Sequence, residues 1–148
     1  MTSFGDAPLL AAAVAHLPDG QAALVSLDLP LRANLSAREN IALIPLYQKH
    51  FDAAEASRQA QALLEQLGFA SIGDKRDPDM TPSERFVAKL ARALILKRQR
   101  LIIERPGAML YDINYPVFLR ELASRFMGSP ASWEVFDFDW NRPLYGQE

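Results

Sequence analysis

The chain contains no cysteine, so neither a disulfide framework nor a thiolate metal site is available to it, which fits a reducing cytoplasm. It also lacks a charge imbalance: 16 Lys and Arg against 18 Asp and Glu leave a formal net charge of -2 at pH 7. That balance gives no global electrostatic reason to expect nucleic acid or an anionic membrane surface, so any partner must be recognised locally. Long apolar runs are missing too. The most apolar early stretch, "PLLAAAVAHL" from Pro8 to Leu17, falls far short of the roughly 20 residues a membrane span needs. The preceding "MTSFGDA" carries Asp6 and no basic residue. It does not read as a secretory leader, and a cytoplasmic location is expected. There is no internal repeat and no low-complexity tract.

What is present is an ordinary globular composition of 49% hydrophobic and 23% charged residues over 148 positions. It predicts one compact domain, 1–148, with a core of its own. The 10 prolines are spread as punctuation between elements. Three helix starts are marked by "SARE" (Ser36 to Glu39), "DAAE" (Asp52 to Glu55) and "TPSE" (Thr81 to Glu84), each with capping-box spacing. The first helix is expected to kink or break at Pro45, which has no amide to give the preceding turn. The second stacks Ala56, Ala60, Leu63, Leu64 and Leu67 on one face, with Gly68 where a left-handed cap is wanted. The third carries Phe86, Leu90 and Leu94 beside Val87 and Ala91, has Pro82 at its first position, and sets Arg85, Lys89 and Arg92 along another side.

After the third helix, "RLIIERP" reads as a buried strand ended by proline. "SWEVFDFDW", Ser132 to Trp140, reads as another, with a helix at "NYPVFLRELASRF" between them, so the two strands should be parallel. Near the start, a helix over Ala7 to His16 is followed by a turn at "PDG" and a strand at "AALVSL". The class is α/β with a helical region at its centre.

Taken in order, these residues resemble the ATP-binding subunit of an ABC transporter, loosely from Gly5 to about Trp140 and most closely from Leu35 to Pro106. "NLSARENIALIPL" resembles the segment after that family's Q-loop, "MTPSERFVAKLARAL" its signature motif and helix, and "LIIERP" its Walker B strand with the following acid and proline. The resemblance implies a shortened P-loop-NTPase-like sheet with helices and a central helical subdomain from about Ser36 to Asp79. It also implies ATP and magnesium as ligands, a membrane permease as partner, and a peripheral place at the inner face of the membrane.

The residues at the family's working positions differ from what that chemistry needs. A phosphate-binding loop ends in glycine, lysine and a hydroxyl. The matching stretch here is Gly5, Asp6 and Ala7, and no strand is expected before it. An aspartate facing a triphosphate repels it. Leu27 stands at the Q-loop position, where an apolar side chain can hold neither magnesium nor water. Glu104 and Arg105 fall at Walker B and at the catalytic glutamate, and a guanidinium cannot act as a general base at cytoplasmic pH. Phe138 takes the place of the switch histidine. In the signature motif Thr81 keeps a hydroxyl, but Pro82 brings no amide and Ser83 replaces a glycine, while Glu84 closes the motif. The expectation is a pseudo-ATPase rather than an enzyme, with no cofactor and no metal.

Blander readings stand beside this one. "TPSE" alone is a helix cap, and the row Arg85, Lys89, Arg92, Lys97, Arg98 and Arg100 reads as a solvated helix face rather than a nucleic-acid surface. His16 and His50 lack ligand spacing. Asp137 and Asp139 share a strand face and read as solvated acids rather than metal ligands. Trp133, Phe136, Phe138 and Trp140 close either the core or a partner surface.

Three functions follow. The first is an accessory or regulatory transporter component that acts through protein contacts made by the region from Ser36 to Asp79. In the second, an ATP-binding component completes a nucleotide site in trans with another subunit. The third is a self-associating structural domain without a transport role; under any of the three, a homodimer is one way to cover the edges left by a missing Walker A strand.

Overall fold

Four short apolar segments pair side by side in the computed structural model, which describes residues 2–6, 22–48, 50–126 and 132–146. They are β1 (Thr2–Gly5), β2 (Ala22–Val25), β3 (Arg100–Glu104) and β4 (Ser132–Phe138). The sheet runs in the order β1-β4-β3-β2 and each pairing is parallel. The register sets Gly5 against Phe138, Glu104 against Phe136, and Val25 against Ile103. All four strands therefore end on one edge, where open parallel sheets place their ligands.

One expectation is overturned here. A strand does precede Gly5, and it pairs with β4 along its whole length. The four residues "TSFG" carry a single large apolar side chain, so alternation could not mark them as a strand. With β1 in place, the sheet has no gap of the kind that motivated a homodimer.

The helices are α1 (Ala37–Gln48), α2 (Ala53–Gln66), α3 (Pro82–Leu94), the single turn α4 (Pro106–Met109) and α5 (Tyr115–Arg125). None of them is long and apolar enough to cross a membrane. Both halves of the capping box form at α1, where the Glu39 amide donates to Ser36 Oγ at 3.1 Å and the Ser36 amide to Glu39 Oε1 at 3.0 Å. They form again at Thr81 and Glu84 in α3. At α2 only half is made: the Glu55 amide donates to Asp52 at 2.8 Å, while the Glu55 carboxylate turns to Arg58 and Gln59. Gly68 adopts φ +86, and the Phe69 and Gly68 amides close back on Leu64 and Glu65, the paired bonds of a left-handed helix cap.

Pro45 does not break α1, which continues to Gln48. The proline lies in the last turn and is buried, so packing outweighs one missing hydrogen bond.

A single apolar cluster joins Ala23, Val25, Leu101 and Ile103 of the sheet to Phe86, Leu90 and Leu94 of α3 and Ile41, Ala60 and Leu64 of α1 and α2. Ile102 and Phe136 are buried on the other face of the sheet, against Ala22, Leu24 and Phe138. The helix expected over Ala7 to His16, and with it Ala7 and His16, lies outside the described residues. Trp140 is not in β4; it is the second residue of a 3-10 helix, Asp139–Tyr145, and stacks on Phe138 with ring centroids 4.2 Å apart.

Candidate functional site

The carboxyl ends of β2 and β3 bring together Ser26, Asp28, Glu104 and Arg105. β3 is buried from Leu101 onward, and Glu104, its last residue, is only 6% exposed. A buried carboxylate must be paired or hydrogen-bonded. Arg105 does both, its Nε and Nη2 donating to Glu104 Oε1 at 3.1 and 2.9 Å, with the Ser26 hydroxyl donating to the same oxygen at 3.3 Å. Nη2 also donates to Asp28 Oδ2 at 3.0 Å, and the Asp28 amide donates to Ser26 Oγ at 3.1 Å. The loop after β2 is thereby tied to the end of β3. Arg105 holds this position in a left-handed backbone conformation, φ 48 and ψ 61, and its amide donates to the Phe136 carbonyl at 2.6 Å.

Of the predicted positions, Gly5, Glu104 and Phe138 lie at the strand ends on this edge, and Arg105 directly follows Glu104. Gly5 ends β1 beside Phe138, and Asp6 follows, exposed. Leu27 leaves β2 half exposed and lies against Pro82 of α3 in one small cavity. Thr81 makes both halves of its cap: its Oγ1 accepts the Glu84 amide at 3.2 Å, and its own amide donates to Glu84 Oε1 at 2.9 Å. Those bonds, with Lys75 at 2.9 Å, hold the Glu84 carboxyl below its ordinary range, the Thr81 amide acting most strongly. Ser83 is half-buried in the first turn.

Two predictions about charged residues fail. The basic row on α3 is not a solvated face. Lys89 is 5% exposed, Arg85 donates to Asp77 Oδ1 at 2.7 Å and to the Asp77 and Met80 carbonyls, and Arg92 donates to the Pro30 carbonyl at 2.8 Å. These side chains tie loops to the helix rather than offering a surface to nucleic acid. Arg100 is taken up by Glu134 at 2.6 and 2.8 Å.

Asp137 is fully buried rather than solvated. It accepts from Tyr145 Oη at 2.6 Å, Tyr115 Oη at 2.8 Å, Asn141 Nδ2 at 3.0 Å and the Phe138 amide at 2.7 Å. Burial, and next the bond to Asp137, push both phenols above their ordinary value. Asp139 lies beyond the strand and pairs with Arg142 at 3.6 Å. Among the described residues no group of three or more His, Asp or Glu is placed to hold a metal ion.

Ser26, Asp28, Tyr115 and Tyr145 were not legible as partners in these networks. Tyr115, Asp137 and Tyr145 lie on three different elements, so no periodicity within one helix or strand could pair them.

No protein-family model matches the chain. It is similar to octopine permease ATP-binding protein P of Rhizobium meliloti, with 29% identity over 90 residues, covering 61% of this chain and 34% of that protein. It is also similar to the glutamate transport ATP-binding protein GluA of Corynebacterium glutamicum, with 26% identity over 77 residues, covering 52% of this chain and 32% of that one. The chain spans about a third of the length of these curated relatives. The resemblance to transporter ATP-binding subunits read from the motifs is borne out by these partial matches.

Proposed function

We propose that this chain is a transporter-related protein with a shortened ABC-ATPase-like fold that neither binds nor hydrolyses ATP and acts through protein contacts. The observation that carries the reading is the pairing of Glu104 with Arg105. The acid at the Walker B position is bonded to a guanidinium, and that guanidinium stands where the resemblance places a general base. A magnesium ion seeking Glu104 Oε1 would have to displace Arg105 and Ser26, and Asp6 stands where a phosphate-binding lysine would be. The residues at this edge do not fit a magnesium–triphosphate group.

The trans-completing alternative has less support. Thr81 has committed its amide to Glu84 and only an acceptor lone pair of its hydroxyl to the helix cap, while Pro82 has no amide to give.

The contact surface in this reading is the helical region from Ser36 to Asp79, whose ends are drawn together by the bridge between Ser36 and Arg76. Tyr47 is 76% exposed and Phe51 39% exposed near the end of α1, and large aromatics of this kind are what protein interfaces bury. Affinity capture with the full chain as bait should recover the membrane subunits of a co-encoded transporter. A Tyr47→Ser/Phe51→Ser variant with an unchanged circular dichroism spectrum should lose them. Recovery of no transporter component, or equal recovery by the variant, contradicts the proposed surface.

A further inference from the structure

Two turns into α3, Lys89 is a buried cation with little to hold it. It is 5% exposed, its Nζ donates to the Ser26 carbonyl at 3.5 Å, and among the described residues no carboxylate is paired with it. A buried ammonium without a counter-charge is costly. Burial first, and the neighbouring Arg92 next, lower its proton affinity, with Arg85 adding to the effect, while Asp77 and Asp28 oppose it from a distance. Arg85 itself is committed to Asp77 and two carbonyls.

Lys89 lines a cavity of about 70 Å³ between α3 and α4, and the other walls include Leu27, Phe86, Met109 and Tyr111. Tyr111 is 72% exposed and Leu27 50% exposed, so the rim is apolar and open to solvent. A water takes about 30 Å³ of liquid volume, so the cavity has room for a carboxylate and one or two carbons. Nucleotide-sized ligands occupy roughly 300 Å³ or more. The shape is that of a socket for the tip of a molecule, with Lys89 and Arg85 as its positive charges among largely apolar walls.

We propose that this cavity is a binding site for a carboxylate on a short apolar stem, held by the Lys89 ammonium. Two sources carry that chemistry, a free short-chain acid and the side chain of a glutamate in a partner protein. The cavity shares Leu27 and Pro82 with the strand-end edge, but neither Glu104 nor Arg105 is among its walls, so failure of acid binding leaves the reading of that pair intact.

The test is a titration of the full, nitrogen-15-labelled chain with sodium propionate at constant ionic strength, followed by amide shifts of Phe86, Lys89, Ala108, Met109 and Tyr111. Saturable shifts are expected, with the uncharged isostere propionamide binding at least about tenfold more weakly, as the loss of one charge contact requires. Lys89→Met keeps the length and removes the charge, and should abolish saturation while the rest of the spectrum is retained. In a parallel titration, tighter saturation by N-acetylglutamate N-methylamide than by propionate identifies a protein side chain as the source. The reverse order identifies a free acid. Absence of saturation by both acids, equal binding of propionamide, unchanged binding by the variant, or tighter binding of inorganic phosphate each overturns the proposal.

Discussion

Replacing Asp137 with alanine is expected to destabilise the fold by about 3–5 kcal/mol, a large part of the total for a domain of this size. The carboxylate is the common acceptor for two phenols, an amide side chain and a backbone amide. Its removal leaves those donors buried without a partner and opens a hole between β4, α5 and the 3-10 helix. Asp137→Asn keeps the shape and one acceptor oxygen, and should cost about half as much. Urea unfolding gives both values. A loss below about 1 kcal/mol for the alanine variant would mean the network does not organise this corner of the fold.

The same network fixes a pH dependence. Tyr115 and Tyr145 are held protonated above the ordinary value of 10.0. Unfolding releases their phenols to titrate normally, so above pH 10 the unfolded chain binds fewer protons than the native one and stability falls as pH rises. The contribution is fully present below pH 10. Tyr145→Phe should flatten the alkaline slope of the urea midpoint, and an unchanged slope would exclude this origin.

Arg105 gives the second large effect. Arg105→Ala removes the cation from a buried Glu104 and places alanine in a left-handed backbone. Breaking a buried pair costs several kcal/mol, but the Arg105 side chain is 26% exposed, so solvent screening reduces the expected loss to about 2 kcal/mol. Arg105→Gly loses the same ion pair yet adopts positive φ freely, and should be more stable than the alanine variant by about 1 kcal/mol. Measured side by side, an alanine variant as stable as the glycine one would contradict the backbone reading.

The frame of the molecule was legible where a local rule sufficed. The caps at Ser36 and Thr81, the apolar face of α3 and the glycine stop at Gly68 each depend on residues within one or two turns, so the sequence carries them openly. The strands at "AALVSL", "RLIIERP" and "SWEVFDFDW" follow from β-branched and aromatic runs. The misses involve longer range. Pro45 continues a helix because it is buried. Lys89 looks like a surface charge by spacing, but it is buried, with its ammonium at the Ser26 carbonyl after β2. Asp137 looks solvated until Tyr115 and Tyr145 are brought to it from other elements. β1 escaped notice because four residues carry little pattern. At the candidate site, the positions of Leu27, Glu104, Arg105 and Phe138 came from motif order. The ties from Ser26 to Glu104 and from Arg105 to Asp28 came only from the fold, because they join residues 78 and 77 positions apart.

The central claim is that the scaffold of a nucleotide-binding protein persists here without its chemistry. A titration of the isolated full chain with a fluorescent ATP analogue in excess magnesium tests it most directly, with binding read as fluorescence anisotropy and phosphate release followed in parallel. The account predicts no saturable rise in anisotropy up to millimolar nucleotide and no phosphate release above the protein-free rate. Saturable, magnesium-dependent binding that competes with unlabelled ATP would contradict it.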